Sequence, residues 1–328
     1  MHRLILKFTA RLCSVAGLCG LASQGAAAEA PFPSRPIRMV VPFSAGGGTD
    51  VVARAAGQKM GELLGQPVVV DNRPGANGII GAEAVARAAP DGYTVLLTIA
   101  SQAIAPAVYK KLPYDSLKDF IPVSLIATYP YVFVTPPNLP PKTFREFVAY
   151  AKARPGQLSY ASSGNGSGPH LGMELIKGAT GMQMVHVPYQ GAANANGDLI
   201  GGQVQAMLNN FLAGIALIKG GQLRALAVTS AKRSSAMPEL PTLAESGYPG
   251  LEVLGWYGMF VTAGTPPDVL ARLSAAAAQS ASSPGVVARI GGDGAIPVGS
   301  SGPEFNRFFR AELGKWAAVA KKAKVTLD

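Results

Sequence analysis

Short apolar, β-rich runs alternate with helix-like segments along most of the chain. The first runs stand at 37–43, 67–71 and 93–98, and segments of helical composition at 51–64 and 78–88 lie between them. This alternation predicts an α/β fold in which helices cover both faces of a mostly parallel sheet.

A second block of the same kind starts at Tyr129. Strands are predicted at 132–134, 158–161, 184–187, 204–208 and 223–228, with helices starting near residues 143, 169 and 192. Thr143 followed by Glu146 is the pattern of a capping box. One more strand at 251–261 precedes two helical stretches, at 269–280 and 304–323.

If the chain leaves the first block near Tyr129 and returns near Leu251, two crossings make a hinge between two lobes. We therefore expect lobe 1 at residues 31–128 and lobe 2 at residues 129–250. Residues 251–328 would return to lobe 1 and add the C-terminal helices. The predicted architecture is a clamshell of two doubly wound sheets.

Residues 1–30 have the three parts of a secretory signal peptide. Three basic residues precede an apolar run at 12–22, which is much shorter than the roughly 20 residues that a transmembrane helix needs. Small residues follow, so we expect cleavage after Ala28 or Ala30 and an exported, periplasmic product.

The residue inventory excludes several kinds of site. Both cysteines, Cys13 and Cys19, lie in the signal peptide, so the mature chain has no thiol for a disulfide or a metal. His170 and His186 have no clustered ligands around them, and we expect no metal and no cofactor. The net charge of +10 favours anions, but the basic residues are scattered, which argues against nucleic acid.

The stretch PFSAGGGTD at 42–50 is a glycine loop between a predicted strand and a predicted helix. Glycines let main-chain N–H groups approach a ligand, and a helix start favours a negative group. The loop lacks the lysine of a P-loop and the spacing of a dinucleotide site, which favours a carboxylate over a nucleotide phosphate. A tight turn, with Asp50 as a plain N-terminal charge, is the alternative.

The stretch SSGNGSGPH at 162–170 repeats this arrangement in the second block. Two helix starts, one from each lobe, could then face a dicarboxylate from opposite sides. A flexible surface loop is the alternative. His170 is a candidate for ligand contact or gating, or a local cap.

Two further candidates follow strands of the second block. Tyr189 presents a hydroxyl before a helix, and Asn209 ends the strand at 204–208 with an amide that could bind a polar ligand. Packing at a lobe surface and helix capping are their respective alternatives.

With these residues in place, the chain resembles Bug-type extracytoplasmic solute receptors, the binding components of tripartite tricarboxylate transporters. The resemblance covers nearly the whole mature length. It rests on seven motifs in order: PSRP at 33–36, PFSAGGGTD at 42–50, VDNRPGANG at 70–78, APDGYT at 89–94, SSGNGSGPHL at 162–171, VPYQG at 187–191 and LPTLAESGY at 240–248.

The resemblance implies a type II-like periplasmic binding fold that closes on a small carboxylate, which main-chain amides and ordered waters hold. It also implies membrane transporter subunits as partners, and we expect a monomer. Many relatives that bind amino acids have an aspartate where this chain has Asn209, which argues against a ligand with an ammonium group. The implied ligand-binding residues are Phe43, Ser44, Ala45, Gly46, Gly47, Gly48, Thr49 and Asp50 in lobe 1, with a contribution from Ser101, and Ser163, Asn165, Ser167, His170 and Tyr189 in lobe 2.

Two alternatives stay open from the sequence. An exported serine hydrolase would use Ser167 with His170, although neither Ser163 nor Ser167 has the glycine spacing of a nucleophile elbow. A periplasmic ligand sensor on the same fold would use closure for signalling instead of uptake.

Overall fold

The computed structural model describes residues 31–291 and 294–327, apart from the side chains of residues 212 and 213. The predicted signal peptide at 1–30, with both cysteines and the expected cleavage site, lies outside the described residues.

Strands and helices alternate through the described chain. The strands are β1 (Ile37–Val41), β2 (Val68–Asn72), β3 (Thr94–Ile99), β4 (Phe120–Thr135), β5 (Leu158–Ser162), β6 (Met184–Pro188), β7 (Ala206–Asn210), β8 (Arg224–Val228), β9 (Leu254–Thr262) and β10 (Ile296–Pro297). The helices are α1 (Gly48–Leu64), α2 (Ile79–Ala86), α3 (Ser101–Val108), α4 (Phe144–Lys152), α5 (Gly168–Thr180), α6 (Ala192–Ile200), α7 (Phe211–Lys219), α8 (Pro267–Ala281), α9 (Pro284–Gly291) and α10 (Gly302–Ala323). A 3-10 turn, Ala76–Gly78, precedes α2.

The strands join in the order β2-β1-β3-β9-β4-β7-β5-β6, with β8 and β10 paired to β4. At one end β1 pairs in parallel with β2 and β3, and at the other β5 pairs in parallel with β6 and β7. Between them β9 is antiparallel to β3, and β4 is antiparallel to β9, β7, β8 and β10. The fold is α/β, as predicted, but the middle of the sheet is antiparallel, which the alternation did not predict. We call the part built on β1–β3 and β9 the first lobe and the part built on β5–β8 the second lobe.

Strand β4 runs through both lobes. Its residues from Phe120 to Pro130 pair with β9, and from Tyr131 onward it pairs with β7 and β8. The change of partner falls where the sequence predicts the start of lobe 2. The predicted lobe boundaries themselves stay a prediction.

Thr229 ties together the two segments that connect the lobes. This side chain is fully buried, and its hydroxyl donates to the Val253 carbonyl at 2.6 Å. The same oxygen accepts from the Tyr131 amide at 2.8 Å. A single hydroxyl therefore links β4 to the segment that enters β9.

Helix α10 is anchored against the first lobe by a buried carboxylate. Trp256 on β9 and Trp316 on α10 are both fully buried, and their indole N–H groups donate to Glu312 Oε2 at 3.1 and 2.9 Å. Buried polar groups need such partners, so this arrangement fixes the register of the helix on the sheet.

Helix α3 contains a proline. Pro106 lies inside it and has no N–H to donate to the Gln102 carbonyl, which would normally break a helix. The hydroxyl of Ser116 donates to that carbonyl at 3.3 Å and satisfies it.

The predicted capping box is only half formed. Thr143 Oγ1 accepts from the Glu146 amide at 3.2 Å, but Glu146 Oε2 accepts from the Lys142 amide, one residue too early for a box. A complete capping box starts α10, with Ser301 and Glu304.

None of the described helices has the length and apolar character to span a membrane.

Candidate functional site

A cavity of about 340 Å³ lies between the two lobes. Serine hydroxyls, aromatic rings and glycine backbone dominate its wall, and no described residue in the lining carries a charge. The lining consists of Pro42, Phe43, Ser44, Pro74, Gly75, Asn77, Gly78, Ile99, Ala100 and Ser101 from the first lobe, Tyr129 and Tyr131 from β4, and Ser163, Ser167, Gly168, Pro169, Gln190, Gly191, Ala192, Leu208 and Asn210 from the second lobe.

Four helices begin at this cavity. The first lobe contributes the starts of α2 and α3, and the second lobe contributes those of α5 and α6. Unpaired N–H groups and the helix dipole make each start favourable for an anion. The residues at these starts are Gly78, Ala100 with Ser101, Ser167 with Gly168, and Gly191 with Ala192. The cavity therefore attracts negative charge although none of its described lining residues is cationic.

Ser167 caps α5 at the cavity wall. Its Oγ accepts from the His170 amide at 3.3 Å, and the His170 ring accepts from the Gly166 amide through Nδ1 at 3.1 Å. The imidazole therefore holds the loop before the helix instead of activating the serine. This geometry is a cap, which was one of the alternatives for His170.

The His170 ring stacks on His186, with ring centroids 3.8 Å apart. His186 Nε2 lies 2.6 Å from Ser162 Oγ, at the end of β5 where the loop begins. Burial lowers the pKa of His170 to about 4, and burial with the neighbouring His170 lowers the pKa of His186 to about 3. Both rings are neutral at pH 7 and support the loop from behind.

Tyr129 and Tyr131 of β4 form the base of the cavity. Their rings pack edge to face at 5.5 Å, and each side chain is at least nine-tenths buried. Burial raises the pKa of Tyr129 to about 12 and that of Tyr131 well above 10. Both phenols therefore keep their protons and can donate hydrogen bonds at any physiological pH.

The glycine loop 42–50 contributes only its first residues to the lining. Phe43 and Ser44 line the cavity, whereas Ala45, Gly46, Gly47, Gly48, Thr49 and Asp50 do not. The Asp50 carboxylate accepts from the Gly46 amide at 2.9 Å, and also from Arg54 and Asn72. Burial acts to raise the pKa of Asp50, but these hydrogen bonds outweigh it and lower the pKa. The carboxylate thus closes the loop on itself.

A family model described as the tripartite tricarboxylate transporter family receptor, TctC, matches residues 52–325. The chain belongs to the TctC family. The curated protein BugT of Bordetella pertussis is 38% identical over 322 residues, which cover 97% of this chain and 98% of BugT.

Two solved structures of similar proteins contain acids. One is Rpa4515 of R. palustris with adipate, which is 37% identical and superposes with a TM-score of 0.82, covering 90% of this chain and 99% of that protein. The other is MatC of Rhodopseudomonas palustris with bound malate, which is 32% identical with a TM-score of 0.78 and covers 88% of this chain and 99% of MatC. TctC-family proteins are solute-binding receptors, so this chain is a binding protein and not an enzyme. The resemblance to Bug-type receptors and the two-lobed fold are both confirmed.

Some of the remaining predicted site residues line the cavity of this TctC-family receptor, and others do not. Ser101, Ser163 and Ser167 line it. Asn165 is exposed on its loop, and Tyr189 turns outward, where its hydroxyl donates to Asp198 at 2.7 Å. Burial and Asp198 raise the pKa of Tyr189 to about 12.

Asn209 is fully buried behind the cavity, in contact with α6. Its Nδ2 donates to Asn196 Oδ1 at 2.8 Å, and its neighbour Asn210 lines the cavity instead. Successive side chains of a strand point to opposite faces, so only one of the two amides can face a ligand.

Sequence reasoning missed two parts of the wall. Pro74, Gly75, Asn77 and Gly78 come from the VDNRPGANG motif, which the resemblance includes but to which no role was given. Gln190 and Gly191 come from VPYQG, in which the sequence pointed to Tyr189, and Ala192 follows this motif directly. The signal in the sequence was the glycine that precedes each of these two helices, Gly78 before α2 and Gly191 before α6. A glycine there lets the backbone approach a ligand closely.

Among residues 31–291 and 294–327, no group of three or more histidine, cysteine or carboxylate side chains is placed to hold a metal.

Proposed function

We propose that this protein is a periplasmic receptor that captures a small organic dicarboxylate between its two lobes for a membrane transporter. The observation that supports this most is the convergence of four helix starts, two from each lobe, on one cavity whose described lining residues carry no charge. An acid with a carboxylate at each end matches that arrangement, since each end meets N–H groups from a different lobe.

The ligands of similar proteins support the same class. Rpa4515 was solved with adipate and MatC with malate, and both cover nearly all of the described fold. At 37% and 32% identity, the ligand of this chain can be an acid other than adipate or malate.

The wall favours an acid with a hydrocarbon body. Phe43, Ile99 and Leu208 line the cavity beside Tyr129 and Tyr131. Methylene groups that displace water from these apolar side chains stabilise the complex. We therefore rank adipate above malate, which carries an additional hydroxyl. Among the described lining residues there is no carboxylate to pair with an ammonium group, so amino acids are disfavoured.

The cellular role rests on the family. We propose that the signal peptide is removed after Ala28 or Ala30, that the mature protein is a periplasmic monomer, and that it delivers its ligand to transporter subunits in the membrane. A sensor on the same fold is the second candidate, because ligand-driven closure serves signalling equally well. Crosslinking of the mature protein to membranes that contain its transporter, with and without ligand, separates uptake from sensing.

Calorimetric titration of the mature protein with adipate, malate, citrate and glutamate tests the ligand class. We expect adipate to bind most tightly and glutamate not to bind. Thermal melts should shift upward with ligand concentration, since a ligand that binds only the folded state stabilises it. Failure of adipate, malate and every other dicarboxylate tested to bind would refute the proposal.

A further inference from the structure

The cavity wall contains a run of unusual backbone. Gly75, Ala76, Asn77 and Gly78 all have positive φ, at 134°, 46°, 52° and 96°. Ala76 and Asn77 are not glycines, and non-glycine residues adopt this conformation at a cost in free energy. Such strain persists where the surrounding structure requires it. The turn therefore holds a side chain in a position that a relaxed backbone would not give it.

The turn directs the Asn77 side chain across the cleft. Asn77 Nδ2 donates to the Gly166 carbonyl at 3.0 Å, which joins the turn after β2 in the first lobe to the loop after β5 in the second lobe. Asparagine tolerates the left-handed conformation better than most residues, and its amide supplies the donor.

Gly166 is held on its other side by the second lobe. Its amide donates to His170 Nδ1 at 3.1 Å, so both polar groups of this one peptide residue are paired. Gly166 also has a positive φ of 71°, and a Cβ there would lie 3.1 Å from Leu327 and 3.3 Å from Val108. Gly166 therefore fits against a surface formed by Asn77, Val108 and Leu327.

We propose that the Asn77–Gly166 hydrogen bond is a clasp that forms when the lobes close and that determines how long the ligand is retained. This inference rests on the proposed function, since it assumes a ligand held between the lobes. Asn77 acts as a positioning residue, because its amide proton goes to protein backbone. The same hydrogen bond forms whenever the lobes close, with or without a ligand. During binding the lobes close after the ligand has entered, so loss of the clasp accelerates release and leaves association nearly unchanged.

Asn77→Gly is the direct test, because glycine keeps the left-handed backbone and removes only the amide. With adipate as the probe, stopped-flow measurements should show release about 2- to 12-fold faster, the range that corresponds to one ordinary hydrogen bond, with association changed less than about twofold. Asn77→Asp should accelerate release at least as much, since it places a carboxylate against the Gly166 carbonyl. Asn138→Gly, in an exposed turn away from the cavity, is the matched control and should leave both rates unchanged.

Amide hydrogen exchange of residues 163–170 in the ligand-free protein gives a readout that needs no ligand. We expect faster exchange in Asn77→Gly than in the wild type and in Asn138→Gly. His170→Leu should increase exchange similarly, and His170→Asn should restore protection, because its Oδ1 stands near the position of Nδ1.

The outcomes separate the two proposals. Unchanged release in Asn77→Gly overturns the clasp, as does faster release with unchanged exchange, since the latter result would make Asn77 a simple ligand contact. If the wild type does not bind adipate, adipate as ligand is refuted, and the exchange measurement alone decides the clasp.

Discussion

The hydroxyl of Tyr131 occupies the space that a Cβ would need at Gly168. Gly168 is the first residue of α5, and Tyr131 is the first residue of β4 that pairs with the second lobe. The phenol therefore lies directly on a helix start at the base of the cavity. The absence of a side chain at position 168 is what allows this contact.

Gly168→Ala should weaken ligand binding about tenfold or more, since overpacking costs about 1–3 kcal/mol and here displaces the phenol from the helix start. Calorimetric titration with adipate measures the effect. Gly197→Ala is the control, because Gly197 lies in α6 with open space around the position of its Cβ. Equal affinities for Gly168→Ala and the wild type would show that the contact has no role in binding.

Tyr131→Phe should raise the dissociation constant about 10- to 100-fold, the range for a hydrogen bond to a charged group. Because burial holds the pKa of Tyr131 well above 10, the wild-type affinity should not change between pH 6 and 9 on account of this group. Tyr150 lies on α4, where the Arg154 guanidinium covers its ring, and the control variant Tyr150→Phe should bind normally. A Tyr131→Phe variant with wild-type affinity would exclude the hydroxyl as a donor to the ligand.

Asp50→Asn should reduce the free energy of unfolding by about 1–3 kcal/mol, because three donors converge on the carboxylate. Ligand affinity should fall much less, since Asp50 does not line the cavity. Urea denaturation and titration with adipate measure the two effects on the same preparation. Lost binding with unchanged stability would instead support the sequence prediction that Asp50 contacts the ligand.

Stability should fall as the pH drops from about 6.5 towards 4. The pKa values of His170 and His186 are about 4 and about 3 in the folded state, below the usual 6.5 of the unfolded chain. The unfolded state therefore binds more protons in this range, so stability is complete above pH 6.5 and is lost as the pH falls towards the folded values. Lys177 lowers both pKa values further, whereas Glu174 opposes the shift at His186.

Melting temperatures between pH 7 and 4.5 test this linkage. His186→Gln should show a smaller decrease than the wild type, because glutamine does not titrate and can still pair with Ser162. Parallel curves for the two proteins would show that the histidine pair does not cause the dependence.

The alternation of the sequence predicted most strands, but β4 was recognised only from Val132 onward. Proline cannot donate to a ladder, so Pro122 and Pro130 hide the continuity of this strand in the sequence. In the structure Pro122 stands beside a bulge in the pairing with β9, and Pro130 forms the last pair with β9 before the partner changes. Both prolines thus lie at irregularities that depend on other strands and cannot be read locally.

The candidate site was predicted where its residues stand at a strand end or a helix start, as for Ser44, Ser101 and Ser167. The turn at Asn77 was not predicted, although the pair Asn77-Gly78 is a turn signal, because Ala76 gives no indication of a left-handed backbone. Residues 46–50 were predicted from the glycine loop at a helix start and from the family resemblance, and in the structure Asp50 accepts a hydrogen bond from the amide of Gly46. A carboxylate four residues after a loop glycine was the available signal for this self-contained turn.

Thr229 imposes a mechanical constraint on this receptor. Its hydroxyl joins β4 to the segment entering β9, so the two connections cannot slide past each other without breaking buried hydrogen bonds. A rotation of one lobe against the other must therefore bend both connections together at this residue. Such a rotation changes the separation of Asn77 and Gly166, which lie in different lobes.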